Sequence, residues 1–137
     1  MTSHRMTRII AAGAIGAAGM GAVVALPTVQ AGAATGSVVV NAKCSGTSVA
    51  NLQLQREDTG KLSVDFGVDM VRPVAGVPWK VSAKDNGTIF VSTTKLTISD
   101  GSFSVSRVIL PAAGTNKVVG HAVNTRTGET CTVTGSI

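Results

Sequence analysis

From Ser37 onward, apolar and polar residues alternate with a period of two, and no segment sustains the 3.6-residue period of a helix. Successive side chains of a strand point to opposite faces, so this alternation predicts strands with one buried face each. Residues 37–44 open with the β-branched run Val38-Val39-Val40. In 49–56, Ala50, Leu52 and Leu54 share one face while Asn51, Gln53 and Gln55 share the other. Leu62, Val64, Phe66 and Val68 form the cleanest apolar face of the chain, opposite Ser63, Asp65 and Asp69. Asp58-Thr59-Gly60 lies between these two runs, and a tight Gly-containing turn there predicts a hairpin.

Residues 70–78 hold Pro73, Gly76 and Pro78 and are excluded from a central strand, because proline has no ladder donor. Trp79, Val81 and Ala83 then face inward, with Lys80, Ser82 and Lys84 outward. Asn86-Gly87 is a strong hairpin signal, since both residues tolerate positive φ. A strand of β-branched residues around Phe90 returns over 88–94, and Leu96 and Ile98 sit on a less regular stretch ending at Asp100-Gly101. Further strands are expected from Phe103 to Leu110, over 118–123 and over 130–137, with Pro111-Ala112-Ala113-Gly114 interrupting after the first.

Seven or eight short strands spaced by turn residues predict an all-β fold, a small antiparallel immunoglobulin-like β-sandwich, with a small barrel as the alternative. The antibody-type hallmarks are missing. The chain has no Tyr, Trp79 lies far from Cys44, and Cys131 falls in the final strand.

The first thirty-odd residues change the picture of where the domain begins. Arg5 and Arg8 precede an uncharged run from Ile9 to Leu26, which Pro27 closes before small residues. This layout predicts a signal peptide over 1–33, cleaved after Ala31 or Ala33, and a single domain over 34–137. The run is long enough to span a bilayer, but Gly13, Gly16, Gly19 and Gly21 dilute it, so cleavage is expected over anchoring. The two arginines are not adjacent, which points to the general secretory route. The expected product is secreted and extracellular, with no membrane attachment after cleavage.

Without Arg5 and Arg8, ten basic residues stand against seven acidic ones, a net charge of +3. The basic residues are spread singly from Lys43 to Arg126, and stacking aromatics are scarce, so nucleic acid is not expected as a partner. Cys44 and Cys131 are the only cysteines, and in an oxidising exterior they are expected to pair. The bridge would join the first strand of the domain to the last.

Candidate chemistry is thin. His121 would be the one histidine left after cleavage, and no G-x-S-x-G elbow offers it a nucleophile; a packed or surface role is expected. Asp65 and Asp69 share a strand face about 13 Å apart. Glycosidase carboxylates need about 5–5.5 or 6.5–9.5 Å. The turns at Asp58, Asp85 and Asp100 lack the alternating ligands of a calcium loop and read as Asx turns. Asn86-Gly87-Thr88 matches the glycosylation acceptor, a match the hairpin turn explains. Trp79 could stack a sugar, but its inward phase favours a core role. No catalytic residue, metal site or cofactor is expected. The remaining candidate is an interaction loop at Met70, Val71, Arg72, Pro73 and Val74, stiffened by proline and carrying an arginine, as an inhibitor loop would be.

Trp79-Lys80-Val81, the Asn86-Gly87 turn, Gly101-Ser102-Phe103-Ser104-Val105 and 122–131 (Ala-Val-Asn-Thr-Arg-Thr-Gly-Glu-Thr-Cys) together resemble a group of small secreted actinobacterial proteins of unknown function. The likeness spans most of 44–137. It implies a compact, disulfide-closed β domain and brings no catalytic residue. The function expected is that of a secreted, non-catalytic binding or structural module. Its partner would be an extracellular or envelope protein or glycan. A secreted inhibitor of an extracellular hydrolase, acting through 70–78, is the alternative.

Overall fold

The computed structural model describes Thr28–Val29 and residues 36–137. The rest of the expected signal peptide, with both cleavage positions, lies outside the described residues. Thr28–Val29 (β1) itself pairs antiparallel with Val38 and Val39, a strand that the leader-like composition of its surroundings did not predict.

Eight longer strands follow: Ser37–Lys43 (β2), Val49–Arg56 (β3), Leu62–Asp69 (β4), Pro78–Asp85 (β5), Thr88–Leu96 (β6), Ser102–Ile109 (β7), Lys117–Asn124 (β8) and Thr130–Ser136 (β9). They form two antiparallel sheets, one ordered β1-β2-β3-β4-β7 and the other β6-β5-β8-β9. The expected small β-sandwich is the observed fold. Among the described residues there is no helix long and apolar enough to cross a membrane.

Both predicted hairpins form. β3 pairs with β4, setting Leu52 opposite Phe66 and Leu54 opposite Val64. β5 and β6 are joined through Asn86 and Gly87, whose φ values of 47° and 86° are the positive pair such a turn requires. Register is held by burial. A one-residue slip would expose Leu52, Leu54 or Phe66, each worth about 1.5–3 kcal/mol when buried.

The core fills the space between the sheets. Phe103 meets Phe66 edge-on at 6.4 Å and Trp79 at a tilted 5.7 Å. Trp79 is fully buried, so it has the expected core role and offers no stacking face. Gly120 on β8 gives the Phe66 ring its place, because a Cβ there would lie 2.7 Å from the ring. The β5–β6 ladder shifts register at Ala83/Lys84 and leaves Phe90 out of the pairing, half-buried.

Candidate functional site

β2, β4, β6 and β8 all finish at one end of the sandwich, so the connections 44–48, 70–77, 97–101 and 125–129 gather there. This end contains both the expected disulfide and the expected interaction loop.

Cys44 and Cys131 are bonded, with their Cα atoms 4.3 Å apart. Cys44 directly follows β2 and Cys131 lies in β9, so the bond crosses from one sheet to the other. A disulfide of this kind is compatible with an extracellular protein. Beside it, the Glu129 carboxylate accepts two hydrogen bonds from Ser48, one from the backbone N–H and one from the hydroxyl, each 2.9 Å. Ser45 and Thr130 add a second cross-link, from Ser45 N–H to the Thr130 carbonyl at 2.8 Å and from Thr130 N–H to the Ser45 hydroxyl at 2.9 Å. The expectation of a disulfide-tied pair of chain ends holds. The clamp around it pairs residues 81 positions apart, which no local pattern could announce.

The 70–77 loop carries no disulfide, but it is braced. Thr97 is buried beneath it; its hydroxyl donates to the Val74 carbonyl at 2.5 Å and accepts from the Val77 N–H at 2.9 Å. The Gly76 N–H reaches the Thr97 carbonyl at 2.8 Å, and the Arg126 guanidinium donates to the Gly76 carbonyl at 3.1 Å. Gly101 sits at φ 78°, and a Cβ added there would come within 2.8 Å of the Pro73 Cα, so the loop lies directly on this glycine. With its backbone tied, the loop turns side chains outward: Val71 is 65% exposed and Val74 43%, with Arg72 and Pro73 also exposed. The last residue of β6, Leu96, is 58% exposed beside it, and the adjoining turn adds Ile98 at 60%. Met70 is half-buried and packs against the core, so it is an anchor of the loop and not part of its outer surface.

The other candidates fall elsewhere. His121 stands on the outer face of the β6-β5-β8-β9 sheet, half-buried, with Nδ1 2.9 Å from the Thr132 hydroxyl. Ser82 is its cross-strand neighbour. Asp65 lies on the outer face of the other sheet and accepts from the Ser106 hydroxyl. Asp100 receives the Ser102 N–H at 2.9 Å and the Ser102 hydroxyl at 2.5 Å, as an Asx turn does. These bonds, the hydroxyl's first, hold the Asp100 carboxyl below the usual carboxylate range. Among the described residues, no three His, Cys, Asp or Glu side chains are grouped so as to hold a metal ion.

No protein-family model, curated protein or solved structure matches this chain.

Proposed function

We propose that this chain is a secreted, non-catalytic binding module that engages an extracellular protein through the 70–77 loop and the neighbouring 96–101 turn. One observation carries the reading: Val71, Val74, Leu96 and Ile98 are exposed at a single end of the molecule on backbone already braced by Thr97, Gly101 and Arg126. A large exposed apolar surface is costly in water, and a rigid one loses little conformational entropy when covered. The partner that fits is a protein with an apolar hollow and an acidic group for Arg72. Export, expected from the leader and compatible with the disulfide, places the encounter outside the cell.

The test uses the immobilised chain exposed to culture medium and envelope extract of the producing cells. A protein retained by the native chain and lost with the Val71→Ser/Val74→Ser double variant supports the reading. Equal retention by both, or none by either, removes it.

The bracing favours a second reading at the same site, inhibition of an extracellular hydrolase by Arg72 presented on a fixed loop. A panel of secreted proteases separates the two. Inhibition at micromolar protein that disappears with Arg72→Ala identifies an inhibitor, whereas full protease activity at that concentration leaves the binding module.

A further inference from the structure

Charge is sorted between the two outer faces in a way that only the strand register reveals. On the outer face of the β1-β2-β3-β4-β7 sheet, Asp65 and Asp69 accompany Lys43, with Asp69 in the same cross-strand row as Lys43, and the rest is largely Asn, Gln and Ser. On the outer face of the β6-β5-β8-β9 sheet, the charged residues are Lys80, Lys84 and Lys117, and no acidic residue stands on it among the described residues. Asp85, the one carboxylate within these four strands, is buried on the inner side.

Hydroxyls fill the space between the lysines. Register aligns Ser92, Ser82, His121 and Thr132 in one row across all four strands. The next row runs from Thr94 through Lys80 and Val123 to Thr130. Lys80 and Lys84 flank the first row and lie about 13 Å apart along β5. A shallow depression of about 430 Å³ lies over this area, bordered by Lys80, Ser82, Ser92, Thr94 and His121.

We infer that this face binds an anionic polysaccharide, a glycan bearing sulfate, phosphate or carboxylate groups, laid across the strands. Lysines spaced along a sheet, with no carboxylate to neutralise them, attract a ligand whose charges are also spaced along a chain. The hydroxyl rows between them supply donors and acceptors for sugar hydroxyls. Among the described residues, the face has no Trp, Tyr or Phe platform on which a neutral sugar ring or a nucleobase could stack; its one aromatic ring is the half-buried imidazole of His121, and Trp79 is fully buried. Charge therefore has to bring the ligand in, and hydroxyl contacts orient it. The 70–77 loop lies outside these four strands, so loss of binding at one surface leaves the other intact.

The experiment measures fluorescence anisotropy of labelled dextran sulfate, polygalacturonate, neutral dextran and a single-stranded DNA oligonucleotide with the full chain at moderate ionic strength. Expected are saturable binding of at least one charged glycan and none of neutral dextran. The exposed double variant Lys80→Ser/Lys84→Ser should weaken that binding tenfold or more, and Lys43→Ser/Lys61→Ser, with the same net charge, less than twofold. Equal weakening by both variants would show attraction to overall charge alone and overturn the inference. DNA binding as tight as the glycan's, with the same dependence on Lys80 and Lys84, would overturn glycan recognition. Absence of binding to both charged glycans would do the same.

Discussion

At the end where β2, β4, β6 and β8 finish, the connections are tied by a covalent bond, a bidentate carboxylate and a guanidinium. The opposite end, where 57–61, 86–87 and 110–116 turn the chain, has no disulfide and no carboxylate tie among the described residues; its links are hydrogen bonds to backbone, among them a reciprocal pair between Asn116 and Ile137. Arg56 donates to the Ile137 carbonyl at 2.9 Å, and Asn86 bridges to Thr115 and Lys117. That end also leaves two buried acceptors, Asp85 Oδ1 and Asn116 Oδ1, without a protein donor, against one unpartnered buried donor, Trp79 Nε1, at the disulfide end, and it exposes Leu110 to 81%. A buried oxygen without a partner loses its hydration and gains nothing in exchange. The first end thus has the stronger ties, and the second is the end expected to open first.

The strongest way to break the contrast is to cut the covalent tie. Replacing both Cys44 and Cys131 by Ala frees a loop of 87 residues and should cost about 4–5 kcal/mol on the chain-entropy account, read as a drop in the urea midpoint. An unchanged midpoint would place the stability of this end in its noncovalent contacts. Glu129→Ala removes both hydrogen bonds to Ser48 and leaves its N–H unpaired, an expected loss of about 1–3 kcal/mol by the same measurement. Hydrogen exchange on that variant should quicken at 44–48 and stay unchanged around 86–87.

At the weaker end the sign reverses. Asp85→Asn removes a buried carboxylate with an unpartnered oxygen, so stability should stay level or rise by up to about 1 kcal/mol. A loss of 2 kcal/mol or more would mean that this carboxylate has a partner after all. The smallest effect belongs to Asp100. Because its carboxyl titrates lower folded than unfolded, its contribution is present at neutral pH and fades as the pH falls below about 4. NMR titration of Ser102→Ala should show the Asp100 carboxyl returning toward its ordinary range.

Alternation was enough to place most strands, because burial with a period of two is a local property of the chain. The faces of 49–56 and 62–69, the Asn86-Gly87 turn and the inward phase of Trp79 were legible for that reason. The pairing of Cys44 with Cys131 followed from there being no other cysteine. The site was less legible. Thr97 is an ordinary polar residue in the irregular stretch after β6, and only the fold shows it buried under Val74 and Val77. Arg126 reaches across 50 positions to Gly76, and Glu129 across 81 to Ser48. Lys80, Lys84 and Lys117 looked dispersed along the chain, and they share one face only once β5 and β8 are aligned. The β1 pairing was hidden for a different reason, since its surroundings read as a leader.

The Cys44–Cys131 bond also changes what proteolysis does to the chain. A single peptide-bond cleavage anywhere between Ser45 and Thr130 would yield two fragments still joined through sulfur, one strand set in each. Such a nicked molecule would keep its mass under non-reducing conditions and separate only on addition of thiol, so damage at an exposed turn need not release either half.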